Sequence, residues 1–220
     1  MSLATESPLS AVDERAKPHV AVPTLHHVNL KTTRKDEMIA WYQTVVGAQV
    51  LCHHPAFTFL SNDAANHRIA LMQVPGIVED PDRIHHDGMH HSAWEYTSFE
   101  ELNDTYLRLR QEGILPVACV DHGCTLSYYY ADPDGNLVEL QVDGFGAWEQ
   151  SHRWMVEEAI NQEFLVGAAV DPDKLAQAHA SGLSFAEIHA KANAGEYSTG
   201  QLPDLRLPAP PPDAPPIIRV

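Results

Sequence analysis

HHSAWEYTSFEELNDTYLRLRQEG, residues 90–113, opens as an alternating strand and continues as a helix, and HHVNLKTTRKDEMIAWYQTVVG, residues 26–47, does the same earlier in the chain. In the second copy Ser98 and Glu101 form a capping-box pattern, after which Phe99, Leu102, Tyr106 and Leu109 recur at helical spacing until Gly113. In the first copy the spacing predicts a helix from about Arg34 to Val46, closed by Gly47. The histidine pairs His26-His27 and His90-His91 are 64 residues apart, and the closing glycines follow the second histidine of each pair by 20 and 22 residues. This is an internal repeat. Working outward, FTFLSND and HRIALMQV read as strands after the first helix, and ILPVACV, CTLSYYY and NLVELQV after the second, the last two joined by a DPDG turn. The pattern predicts two βαβββ modules, 23–75 and 89–143, within one domain spanning 23–145. Each module is too small to close its own core, so the expected fold is α+β, with the modules pairing into one curved mixed sheet.

Beyond the repeat, residues 1–22 are polar and without period, and read as an N-terminal arm. Residues 146–200 read as a helical extension: AWEQSHRWMVEEAI, then Asp171-Pro172 opening DPDKLAQAHAS, then Ser184 and Glu187 capping SFAEIHAKANAG. Residues 201–220 hold seven of the sixteen prolines and predict an extended tail strapped to a surface.

The 220-residue chain carries 30 acidic and 14 basic side chains, a net charge of −16 that repels nucleic acid and anionic lipid. No apolar run reaches the roughly 18 residues of a membrane span, and the start has no signal-peptide pattern. Cys52, Cys119 and Cys124 are too few and too irregular for a disulfide framework, which favours a reducing cytoplasm.

Fourteen histidines are the first functional hint. A divalent metal that must also bind a substrate takes few protein ligands, typically two imidazoles and a carboxylate on one face. His27 and His91 open the two modules at equivalent positions, while Glu139, between Val138 and Leu140, points where a core or cavity residue would point and needs a partner there. Spacing alone leaves open the plainer reading, in which Glu139 lies on a solvated face. Laying LVELQV over IALMQV sets Leu71 against Glu139, so the first module offers no second carboxylate.

HVNL, HHSAWEY and YYYADPDGNLVEL, in two such modules, resemble the vicinal oxygen chelate superfamily and, within it, the type I extradiol ring-cleaving dioxygenases. The resemblance covers about residues 24–143. It implies His27, His91 and Glu139 as ligands of Fe(II), with Mn(II) the alternative, and a catechol-type aromatic diol and O2 as substrates. Tyr129 lies ten residues before Glu139 with Pro133 and Gly135 between, NHRIAL supplies His67, and DHG supplies His122. By resemblance His67 is an acid/base beside the oxygen site, while His122 and Tyr129 hydrogen-bond substrate. Three features depart from the family: His67 to His91 is 24 residues, lengthened by PGIVEDPDRIHHDG; His122 precedes Tyr129 by seven residues, a shorter loop than is usual there; and only one pair of modules is present. The superfamily also implies a homo-oligomer, a dimer or larger. Its other activities are the competing readings: a Mn(II) Lewis-acid enzyme of the fosfomycin-modifying kind, an isomerase disfavoured by Leu71, and a metal-free binding or resistance protein. His85, His86 and His90 are expected on the surface, and Trp94 and Trp148 in the core.

Overall fold

The computed structural model describes residues 21–220, so all but the last two residues of the expected N-terminal arm lie outside the described part. The first module runs β1 (Val28–Lys31), α1 (Lys35–Val46), β2 (Gln49–His54), β3 (Phe57–Ser61) and β4 (Ile69–Met72). The second runs β5 (His91–Tyr96), α2 (Phe99–Gln111), β6 (Ala118–Asp121), β7 (Thr125–Ala131) and β8 (Leu137–Asp143). Their strand orders are the same permutation, β1-β4-β3-β2 and β5-β8-β7-β6, with the first and last strands of each module paired in parallel.

Local chemistry sets the helix ends. Gly47 closes α1 at φ +67°, a left-handed conformation that suits a residue without Cβ. Ser98 caps α2 by accepting from the Glu101 backbone N–H at 3.3 Å, whereas the Glu101 carboxylate reaches past it to the backbone and hydroxyl of Thr97. The complete reciprocal box occurs at Ser184 and Glu187.

The two modules keep separate hydrogen-bonded sheets and are joined through packing. One apolar cluster takes Met38, Tyr42 and Val45 from α1, Ile69 and Leu71 from β4, Phe99, Leu102 and Leu109 from α2, and Val138 and Leu140 from β8. That shared burial is what neither module reaches alone.

The C-terminal segment adds α3 (Trp148–Glu157), β9 (Gly167–Ala169), α4 (Pro172–Ala180), α5 (Phe185–Asn193) and β10 (Ile218–Arg219). Its two short strands extend the second sheet, β9 antiparallel to β6 and β10 parallel to β9. Gly167 makes this approach possible: at φ +103°, a Cβ there would lie 2.0 Å from the Asp121 carbonyl oxygen. Trp148, expected in the core, is 70% exposed because α3 buries none of its residues, and its indole N–H instead donates to Glu95 at 2.7 Å.

Candidate active site

The site is built on the second sheet. In the parallel β5–β8 pair Ala93 lies opposite Glu139, which puts His91 two residues away on the same face of the sheet. His91 Nε2 comes within 3.0 Å of Glu139 Oε2. On the other side, Tyr129 of β7 is the direct cross-strand partner of Glu139, and its hydroxyl donates to Glu139 Oε1 at 2.9 Å. Glu139 is only 5% exposed, while its neighbours Val138 and Leu140 point to the opposite face and enter the core.

His122 occupies the short turn between β6 and β7, closed by its own backbone N–H to the Thr125 carbonyl at 2.8 Å. Only seven residues separate it from Tyr129, but the hairpin folds its Nε2 to 2.9 Å from the Tyr129 hydroxyl. Its Nδ1 lies 2.6 Å from the Val166 carbonyl. A carbonyl accepts only, so Nδ1 carries a proton and, in neutral His122, Nε2 is an acceptor. The single phenolic proton of Tyr129 therefore has two acceptors within reach.

Burial pushes the Glu139 carboxyl pKa up, but contacts with His91, Ser127 and Tyr129 more than offset it, and the net direction is down. Tyr129 moves up, through burial first and then the adjacent Glu139 charge. The array thus keeps an ionised carboxylate beside an un-ionised phenol.

The first module supplies a second group. His27 immediately precedes β1, where Val28 N–H donates to the Arg68 carbonyl at 3.0 Å, and this brings the His27 ring to 4.2 Å from that of His67. His26 joins them, and one candidate ligand atom from each of the three lies within 4.8 Å of the others. Desolvation, followed by the nearby His27 and His26, lowers the His67 pKa.

The sequence-expected residues thus fall into two groups, His27 with His67, and His91 with Glu139, Tyr129 and His122. The register corrects one pairing. β3–β4 sets Ala70 against Phe59 as β7–β8 sets Glu139 against Tyr129, so the counterpart of Glu139 is Ala70, not Leu71. Leu71 faces the core, as Leu140 does. Ala70 offers no donor atom either, so the first module still contributes no carboxylate at that place.

A family profile for the Glyoxalase/Bleomycin resistance protein/Dioxygenase superfamily matches residues 24–140, the span of both modules. The chain belongs to this superfamily. Among curated members of the superfamily, it is 39% identical to biphenyl-2,3-diol 1,2-dioxygenase 3 of Rhodococcus globerulus over 77% of this chain and 89% of that protein. It is 37% identical to biphenyl-2,3-diol 1,2-dioxygenase 2 of the same organism over 86% of this chain and 96% of that one. Catechol-2,3-dioxygenase of Bacillus subtilis (strain 168) matches at 26% over 70% of this chain and 55% of its own length.

Four partners of these residues escaped sequence reasoning. Val166, immediately before β9, holds His122, and that strand is too short to leave a pattern. His189 and Asn193 of α5 hold Asp121, which precedes His122, through Asp121 Oδ2 at 2.7 Å and Oδ1 at 2.9 Å. The fourth is His90, which the repeated histidine doublet could have signalled.

Proposed function

We propose that the protein is an extradiol dioxygenase that, with Fe(II) held at this site, would open the ring of a catechol-type diol next to the diol and retain both atoms of O2. The observation that carries this reading is the hydrogen-bonded array His122–Tyr129–Glu139–His91 in a chain 39% identical to a biphenyl-2,3-diol dioxygenase. An aryl-substituted catechol of the biphenyl-2,3-diol class is the first substrate to test.

The donor types of the proposed ligands suit a divalent metal, with His27 standing beside His67 and His91 beside Glu139. A buried carboxylate oxygen and an imidazole nitrogen face each other at 3.0 Å, an oxygen and a nitrogen donor of the kinds a divalent metal takes. His27, His91 and Glu139 are the proposed ligands, two nitrogens and one oxygen that leave positions open for substrate and O2. When bound, the metal would supply Lewis acidity that lowers the pKa of the diol and a redox-active centre for chemistry with O2.

The chain's own groups handle the protons. His67, against His27, accepts a proton from the incoming diol and returns one later. Tyr129 O–H donates to a substrate oxygen, with His122 Nε2 behind it as the acceptor that re-orients the phenol. Val166 fixes the tautomer that leaves this nitrogen free. No external reductant is consumed, since both atoms of O2 appear in the product.

Among the described residues no helix is long and apolar enough to cross a membrane. We further infer a cytoplasmic homo-oligomer, a reading supported by three free cysteines and by the exposed edge strand β2, which presents Val50 and Leu51. The test is anaerobic reconstitution with Fe(II), then aerobic assay against a catechol panel including biphenyl-2,3-diol. A yellow ring-opened product is expected. Stoichiometric iron with no cleavage of any catechol would overturn the dioxygenase reading in favour of a Lewis-acid enzyme.

A further inference from the structure

Each proposed histidine ligand is preceded by another histidine, and the two doublets meet in the same way. In His26-His27 the Nδ1 atoms are 3.2 Å apart with the rings edge-on, and in His90-His91 they are 2.8 Å apart in the same arrangement. Two imidazole nitrogens at such a distance share one proton, so one donates and the other accepts.

In the second doublet the outer contact sets the direction. His90 Nε2 lies 2.7 Å from the Leu205 carbonyl oxygen. The carbonyl only accepts, so His90 carries its proton on Nε2, and neutral His90 presents a bare Nδ1. His91 Nδ1 then donates to it. The remaining nitrogen of His91, Nε2, faces Glu139 Oε2 at 3.0 Å, and it is the atom that a metal would engage.

We propose that His90 is a positioning residue for the metal centre: anchored by the Leu205 carbonyl, it accepts from His91 Nδ1–H and so fixes the tautomer and ring orientation in which His91 Nε2 is free to bind metal. The proposal rests on the ligand set given above, with His91 and Glu139 as ligands. A ligating imidazole commonly gives its second N–H to a carboxylate or carbonyl. Here the acceptor is a second imidazole, itself tied to the C-terminal tail. Leu205 also packs its side chain on the apolar cluster that contains Tyr129 and Leu137. Docking of the proline-rich tail and readiness of His91 are thereby linked through a single side chain. The His26–His27 doublet repeats the Nδ1–Nδ1 approach, at 3.2 Å.

Two conservative variants separate the contacts of His90. In His90→Asn, Oδ1 takes the place of Nδ1 and keeps the acceptor for His91 while losing the tail contact. In His90→Gln, Nε2 takes the place of the imidazole Nε2 and keeps the tail contact while losing the acceptor. Anaerobic Fe(II) affinity, measured by chelator competition on the full chain, should fall about 10- to 100-fold in His90→Gln and stay within about threefold of wild type in His90→Asn. In Zn(II)-loaded, nitrogen-15-labelled wild type, a scalar coupling across the hydrogen bond between the His90 and His91 Nδ1 nitrogens is expected, a readout independent of any variant's folding. Glu139→Ala serves as the control for the ligand set itself. If Glu139→Ala loses Fe(II) while His90→Gln binds as wild type, or if both His90 variants lose affinity equally, the positioning role is overturned and the ligand set stands. If Glu139→Ala binds Fe(II) like wild type, the ligand set fails and the positioning role with it.

Discussion

Replacing His189 with alanine removes the cation from a buried pair whose other member, Asp121, is 0% exposed. His189 Nδ1 lies 2.7 Å from Asp121 Oδ2 and Nε2 lies 3.2 Å from the Gly123 carbonyl. Both partners are acceptors, so both nitrogens carry protons and the ring is an imidazolium. Burial works against that charge, but the hydrogen bond and field of Asp121, then the Gly123 carbonyl and Asp143, more than offset it and raise the His189 pKa. Stranding a buried charge costs about 3–5 kcal/mol, and Asp121 would keep its bonds from Gly123 N–H and Asn193, so the expected loss is about 3 kcal/mol. The pH dependence has a definite sign. A histidine whose folded pKa lies above the unfolded value of about 6.5 contributes stability that is full below that pH and is lost as pH rises through the folded value. Urea unfolding of wild type and His189→Ala at pH 6 and pH 9, at constant salt, reads the effect, since other titrations cancel in the difference. The gap between the two proteins should be largest at pH 6 and smaller at pH 9. A gap that is flat or grows with pH, or a loss well under about 1 kcal/mol at pH 6, would refute the imidazolium and its pairing.

Gly167→Ala should cost on the order of 3 kcal/mol, because the new Cβ would sit 2.0 Å from the Asp121 carbonyl at a left-handed φ, and a thermal melt should fall by about 6–12 °C. Tyr129→Phe deletes the proton shared by Glu139 and His122, and steady-state kinetics on the Fe(II) protein should lose about 100-fold in kcat with iron still bound. Leu102→Ala, at a fully buried position between the modules, should cost about 2–5 kcal/mol in urea unfolding while leaving iron stoichiometry unchanged.

The doubled βαβββ pattern was legible because its helices carry strong periodic faces and punctuating glycines, and because the histidine doublet repeats. Glu139 was a candidate from its place between Val138 and Leu140, while Tyr129 came from the family resemblance, which sets it ten residues earlier across the DPDG turn, in three dimensions a direct cross-strand pair. Strand β2 left no alternation because all six of its residues are exposed. β9 and β10, three and two residues long, form through tertiary pairing with β6 and carry no period of their own. The pairing of Leu71 with Glu139 came from matching QV to QV along the chain, and a slip of one residue in a strand exchanges its two faces. Trp148 was read as core on size alone, and a helix end that buries nothing overrides size. His122 shows the opposite case, since a turn and a remote carbonyl fix its tautomer where sequence offers only a DHG tripeptide.

The central claim is that this chain opens an aromatic diol with dioxygen at a centre that includes Glu139. Turnover of biphenyl-2,3-diol by the Fe(II) protein under oxygen-18 gas, followed by mass spectrometry of the ring-opened product, tests it most directly. Two oxygen-18 atoms per product molecule, with no product from Glu139→Ala, is the expected result. Product carrying one labelled atom or none, or undiminished turnover by Glu139→Ala, would contradict the account.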